Sequence, residues 1–354
     1  MTASELAHQS NDGSGPARRL ADALARHYRC EAHSIARIAR GMGTTNWLVR
    51  TSEADYFLKQ YPPGADVAGE AAALKLSQEA RAAGLPVPLV VPSAAGELLW
   101  SESDLALALL EYFPGTTSGI ALSRSDMAQA GHTLGRLHAW LQDRPASRDT
   151  AGEWLALEAG RKRAAFERCL RAIEKRKEQD EFDRRTAPLL RRRLELLPRA
   201  ASLLGSLPPL GRQVVHGDYS LWNILFRRGR LVAVVDFRPP ERFLPAFEIG
   251  RAALAPESVT AGPGWHGKAL AFVEAYCRAN RDIGRSDVEF APHVWAIQLV
   301  RSEYGVRQHY FGPVEWQADL DRFWFQRCEA ADMILDDLDR LSSSFVSAWE
   351  RCEA

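Results

Sequence analysis

The 354-residue chain has few cysteines. Cys30, Cys169, Cys277, Cys328 and Cys352 are odd in number, far apart and never in a Cys-x-x-Cys pair. That pattern argues against a disulfide framework and a zinc site, and it fits a reducing cytoplasm. The chain also has no charge of one sign in excess: 45 Lys and Arg balance 45 Asp and Glu. No global field therefore recommends nucleic acid or an anionic membrane surface as a partner. No apolar run reaches the thickness of a bilayer, which excludes a membrane-spanning helix. Residues 1–15 lack the apolar core of a signal peptide; with Asn11-Asp12-Gly13-Ser14-Gly15 at their end they are expected to form a disordered tail, counted here as residues 1–16. Internal repeats are not apparent. His-Glu-x-x-His, Gly-x-Ser-x-Gly and Walker A sequences are missing, so nothing supports the chemistries those motifs carry.

What is present is enough apolar material for a real core, at 46% of residues, in a chain long enough for two lobes sharing a cleft. The informative stretch runs from Val214 to Phe237. Short β-branched runs precede His216, follow Asn223 and precede Asp236, and residues 227–230 supply a polar turn. This predicts strand, tight loop, strand, turn, strand, with three polar side chains meeting at neighbouring strand ends. Moving a phosphoryl group from ATP needs a carboxylate near the accepting hydroxyl and hard oxygen ligands that hold magnesium against the phosphates. Asp218 suits the first task; Asn223 and Asp236 suit the second. A loop is needed to turn an Asp and an Asn five residues apart toward one cavity, and Gly217 permits it.

This is the layout of a kinase catalytic loop and metal aspartate, with glycine in place of the usual arginine of His-Arg-Asp. On these residues the chain resembles the aminoglycoside phosphotransferase and choline kinase-like superfamily, whose signature is His-Gly-Asp-x4-Asn followed by a hydrophobic-Asp-aromatic step. The resemblance implies an α+β, protein-kinase-like two-lobed fold: a small antiparallel β-sheet N-lobe, residues 17–110, a hinge at 111–115, and a larger, mainly helical C-lobe, residues 116–354, that carries the catalytic loop and the acceptor site. ATP and Mg2+ are the cofactors it implies, with the nucleotide in the cleft.

Upstream, Leu20, Leu24 and Tyr28 predict a helix over 17–29, and 35–61 reads as hairpinned strands. Gly41, Gly43 and Thr44 lie between two of those strands. They read either as a phosphate-covering loop, where glycines let backbone N–H groups approach an anion, or as an ordinary hairpin turn. Lys59 at the inner end of the next strand and Glu70, opening a helix over 70–81, read as the lysine–glutamate pair that positions ATP phosphates. They also read as a solvated strand residue and a first-turn acid. Gly84-Leu85-Pro86-Val87-Pro88 ends the helix, and strands are expected near 89–91, 97–100 and 105–112. By resemblance, backbone groups of Glu111 and Phe113 contact the adenine edge.

Ser125 is expected to cap a helix with an apolar stripe of Met127, Leu134, Leu137, His138 and Leu141, on which His138 is a packed core histidine. Residues 151–206 read as nearly continuous helix whose interleaved charges mark a solvated face, not a nucleic-acid surface. Residues 268–349 read as helical and rich in aromatics; Glu303, His309 and Asp321 are candidates for holding a polar or cationic ligand there.

After Asp236 the chain departs from the resembled pattern. Arg238 stands where glycine or an acid is more usual; it reads as a phosphate or acceptor-anion contact or as half of an ion pair. Glu248 stands where Asp is common, and can still accept from the catalytic-loop backbone. About a dozen residues between Asp236 and Glu248 cannot supply the activation segment that docks a peptide. The acceptor is therefore expected to be a small-molecule hydroxyl compound: an amino alcohol, an amino acid such as homoserine, or an aminoglycoside-type antibiotic. The rival reading is a nucleotide-binding pseudokinase with a regulatory role, suggested by Trp222, Arg238 and Glu248.

Overall fold

The computed structural model describes residues 15–38, 43–116, 122–156 and 159–353. In chain order the first elements are α1 (Pro16–Tyr28), β1 (Ser34–Ile38), β2 (Thr45–Arg50), β3 (Asp55–Tyr61), α2 (Val67–Ala82), β4 (Val90–Val91), β5 (Trp100–Glu102) and β6 (Leu105–Glu111). Then come α3 (Arg124–Leu141), β7 (Arg148–Asp149), α4 (Ala151–Leu155), α5 (Ala159–Glu174), α6 (Glu181–Gly205) and β8 (Gln213–Val214). A 3-10 turn over Leu221–Asn223 leads to β9 (Ile224–Arg227), β10 (Arg230–Val234) and β11 (Glu241–Phe243). The rest is helical: α7 (Pro245–Ala253), α8 (Pro256–Val259), α9 (Trp265–Ala279), α10 (Arg285–Glu289), α11 (Ala291–Arg301), α12 (Val306–Phe311), α13 (Gln317–Asp336) and α14 (Leu338–Glu353).

The chain forms two compact units. The first comprises Met1–Ser118, His216–Asp218 and Trp222–Pro240; the second comprises Gly119–Val215, Tyr219–Leu221 and Glu241–Ala354.

The first unit is built on an antiparallel sheet in the order β1-β2-β3-β6-β4, with β5 also pairing to β6. Successive side chains of a strand point to opposite faces, and β6 shows the result. Leu105, Leu107 and Leu109 join Leu20 and Leu24 of α1 in one core. Ala106 and Ala108 join Tyr61 of β3 and Leu74 of α2 in another. An uninterrupted apolar run is therefore what a strand covered on both faces requires. Helix α2 starts at Val67, one turn earlier than the sequence predicts, because the Asp66 side chain accepts from the Gly69 amide at 3.0 Å and caps the end; Glu70 sits in its first turn. The β9–β10 hairpin, also in this unit, turns on Arg228 and Gly229, both at positive φ (52° and 71°), as a two-residue hairpin loop demands.

The second unit is mainly helical, with one small sheet in the order β7-β11-β8. The cap of α3 is Ser123, not Ser125. The Ser123 hydroxyl accepts from the Asp126 amide while the Asp126 carboxylate accepts from the Ser123 amide, a reciprocal capping box that Ser125 could not form. The span 151–206 is interrupted: α4 stops at Leu155, and α6 begins afresh at Glu181, capped by Asp180 in a second capping box. Surface charges on α5 and α6 pair at i, i+4, as between Arg171 and Glu167 and between Arg185 and Glu181. Helix α3 packs against α9 through Gly131 and Gly135; a Cβ on Gly135 would fall 2.5 Å from the Tyr276 carbonyl oxygen. Among the described residues no helix is long and apolar enough to cross a membrane. A small antiparallel sheet unit and a larger helical unit make up the expected protein-kinase-like α+β fold.

Candidate active site

Within the first unit the site is assembled from His216–Asp218, Trp222 and Asn223, and the segment 234–238 that crosses them. Gly217 adopts φ +85°, and a Cβ there would lie 2.5 Å from Arg238 Cβ, so both conformation and space require glycine. The turn brings the Asp218 amide onto the buried His216 ring, donating to Nδ1 at 3.2 Å. Asn223 closes the loop: its Nδ2 donates to the Asp218 carbonyl at 2.9 Å and to Asp218 Oδ2 at 3.0 Å. The second segment is laced to the first by backbone bonds, Val235 N–H to the Asn223 carbonyl and Arg238 N–H to the His216 carbonyl, each at 2.9 Å. Between those bonds Asp236 takes φ +66°, a left-handed conformation uncommon for a side-chain-bearing residue and the sort of strain that functional sites retain. The structure therefore bonds Asn223 to Asp218 and ties the Asn223 carbonyl to the amide just before Asp236.

Lys59, on β3, ion-pairs with Asp236. Partial burial pushes the Asp236 carboxyl up, but the Lys59 ammonium, with His216 and Arg238 nearby, outweighs it and holds the group below the ordinary carboxylate value. The expected partner of Lys59 was Glu70. Instead Glu70 lies beside the hydroxyl of Tyr61, two residues along the same face of β3, and burial together with this acid raises that hydroxyl well above its ordinary range. Gly43 is at φ +83°, and the adjoining Thr44 hydroxyl donates to Asn46 Oδ1 at 3.0 Å; Gly41 lies outside the described residues. Glu111 has its amide committed to the Leu89 carbonyl at 2.8 Å, and its carboxylate accepts from Arg81 and the Leu89 amide. The Phe113 carbonyl accepts from the Thr116 hydroxyl at 2.9 Å.

In the second unit, Glu248 at the start of α7 takes the Tyr219 amide at 3.4 Å on one oxygen and His138 Nε2 at 3.0 Å on the other. His138 Nδ1 meets the Tyr276 hydroxyl at 2.8 Å, and the Tyr219 hydroxyl donates to the Ala130 carbonyl at 2.8 Å. All four side chains are buried. His138 is thus a packed core histidine, as read from its stripe, but one that bonds to the residue holding the Tyr219 amide. Neither Tyr219 nor Tyr276 was singled out from sequence. For Tyr219, the available signal was an aromatic residue directly following Asp218 in a polar loop; for Tyr276 there was none. Of the C-terminal candidates, Glu303 pairs with Lys162 at 3.4 Å, and His309 pairs with Asp321 at 3.0 Å while stacking on Phe182. Trp295 and Trp324 are buried in the core.

Residues 34–287 match the phosphotransferase enzyme family, and the chain belongs to it. Among curated proteins, a homoserine kinase of Gluconobacter oxydans is 26% identical over 203 residues. The match takes in 56% of this chain and 58% of that enzyme, less than two thirds of its length. Among solved structures, a spectinomycin phosphotransferase in complex with ADP and spectinomycin superposes with a TM-score of 0.65 at 14% identity, over 90% of this chain and 98% of that one. An aminoglycoside phosphotransferase from Alicyclobacillus acidocaldarius gives 0.61 at 16% identity, over 94% and 98%. A microcompartment-associated aminopropanol kinase gives 0.58 at 17% identity, over 91% and 98%. At such identities the likeness is one of fold.

Proposed function

We propose that this chain is a small-molecule kinase that transfers the γ-phosphoryl group of ATP to a hydroxyl group. The observation that carries the reading is the interlaced pair of segments. Asn223 is bonded to Asp218, and its carbonyl is bonded to the amide beside Asp236, so the three groups that the chemistry needs share one backbone frame. All three being present favours an active enzyme over a pseudokinase.

In this reading Lys59 and the backbone of Gly41, Gly43 and Thr44 hold the phosphates, Glu70 borders them, and backbone groups of Glu111 and Phe113 meet the adenine. The donor set suits magnesium: the Asp236 carboxylate and the Asn223 amide oxygen are hard oxygen ligands, and this ion takes few of its ligands from protein. Bound there, magnesium would neutralise charge on the phosphates. Asp218 accepts a hydrogen bond from the acceptor hydroxyl, orients it, and takes its proton as the new O–P bond forms and ADP leaves. A loose transition state asks for little basicity, so a carboxylate can serve.

Acceptors worth trying first are those of the relatives: an amino acid such as homoserine, amino alcohols, and aminoglycoside-type antibiotics. All five cysteines are free thiols, which supports a reducing, cytoplasmic setting. The test is ADP release from magnesium-ATP over panels of these compounds, with Asp218→Asn as control. The expected result is an acceptor-dependent rate that Asp218→Asn lowers by about 100-fold or more while still binding magnesium-ATP. An unchanged rate in the variant would remove Asp218 from the mechanism.

A further inference from the structure

We propose that Arg238 recognises an anionic group on the acceptor, so that the hydroxyl compound phosphorylated here carries a carboxylate. The inference rests on the kinase reading above and narrows its acceptor class. Arg238 lies two residues beyond Asp236, and its amide donates to the His216 carbonyl at 2.9 Å. Its stem crosses Gly217, where an added Cβ would fall 2.5 Å from Arg238 Cβ and 2.8 Å from Cγ. The root of the side chain is therefore fixed on the segment leading into Asp218, while the residue as a whole is exposed.

Among the described residues no carboxylate forms an ion pair with its guanidinium. Of the acids of the same unit, Asp236 ion-pairs with Lys59 and feels the Arg238 charge without an ion pair to it, Asp218 accepts from Asn223, Glu111 pairs with Arg81, and Glu70 lies beside Tyr61. The alternative of an intramolecular ion pair, open on sequence grounds, is thereby removed for the described residues.

Two sources of anion come to such a loop, the nucleotide phosphates and an anionic group of the acceptor. A cation for the phosphates is supplied by Lys59, which stands at Asp236. The Arg238 charge also reaches Asp236, but its root is fixed on His216 and Gly217, the residues immediately ahead of the group assigned to the acceptor hydroxyl. A guanidinium is a planar fork that grips a carboxylate through two parallel hydrogen bonds, which fixes direction as well as charge. Held at one end by Arg238, an acceptor presents its hydroxyl to Asp218 in a restricted set of orientations. A polycationic acceptor meets a like charge at the same place.

The test uses the full-length protein, magnesium-ATP and pairs of hydroxyl compounds that differ only in bearing a carboxylate or its neutral amide. The wild type is expected to favour the carboxylate of each pair. Arg238→Ala should raise KM for the carboxylate about 10- to 100-fold, the loss that fits one charge-assisted pair, and leave KM for ATP and for the amide within about twofold. Arg238→Lys should recover part of the loss, and Arg238→Glu should reverse the preference within a pair. A higher KM for ATP, or a fall in kcat shared by both members, would assign the arginine to the phosphates and overturn the proposal, as would an Arg238→Ala protein indistinguishable from wild type. A wild type that works best on polycationic acceptors would overturn it and leave the kinase reading standing. Absence of acceptor-dependent ADP release, or full activity of Asp218→Asn, would instead fail the kinase reading on which it rests.

Discussion

Asp236 and Glu248 are both carboxylates, one exposed beside an ammonium and the other buried among hydrogen-bond partners. Asp236 is 44% accessible at its side chain and is held down by Lys59. A carboxyl whose folded pKa is depressed contributes stability that is complete above its unfolded value, near 3.8, and that is lost as pH falls through the lower folded value. The stability difference between wild type and Asp236→Asn should therefore be constant at neutral pH and shrink in acid below that value, as read by urea denaturation across pH. Glu248 is 1% accessible and bonds to the buried His138 and to the Tyr219 amide. Glu248→Ala strands both and should cost about 2–4 kcal/mol in the same measurement, with Glu248→Gln milder because it keeps an acceptor for the amide. Which of these roles could be read beforehand depends on sequence distance. The placement of Asp218, Asn223 and Asp236 on one loop and hairpin was legible because a single stretch of sequence carries them in order. The Lys59–Asp236 pair spans 177 positions and the His138–Glu248 pair 110, and a one-dimensional pattern holds no record of such meetings.

Periodicity located most helices and strands, and it failed at their ends, where single hydrogen bonds decide. Ser123 and Ser125 are equally good capping residues by type; the reciprocal bonds with Asp126 select the first. Ser123→Ala should lower stability by about 1 kcal/mol and Ser125→Ala should change it little, in paired thermal melts. The contact of α3 with α9 is stricter. At Gly135 the obstacle to a Cβ is the Tyr276 carbonyl at 2.5 Å, which is backbone and cannot swing aside. Gly135→Ala should therefore destabilise by about 1–3 kcal/mol by forcing the helices apart, despite the better helix propensity of alanine. In the sequence this glycine looks like a defect in a good helix; its reason is a neighbour more than a hundred residues away.

Considered whole, the molecule keeps its thiols out of reach. Four of the five cysteines are buried and Cys30 is intermediate. Burial pushes the Cys169 thiol up to about 11 and Cys277 up to about 12. A thiol-reactive dye at pH 8 should label Cys30 first, slowly because burial raises that thiol too, and reach all five cysteines only in denaturant. The fold class was legible at this scale because the site motif implies it. Less visible was the order in which the chain visits its two units, since the first contains 216–218 and 222–240 as well as the opening 118 residues. That order sets a timetable during synthesis. The opening sheet emerges from the ribosome roughly a hundred residues before the hairpin that belongs with it, a wait on the order of 5–25 s at ordinary elongation rates. For that interval the nascent protein holds Lys59 without Asp236.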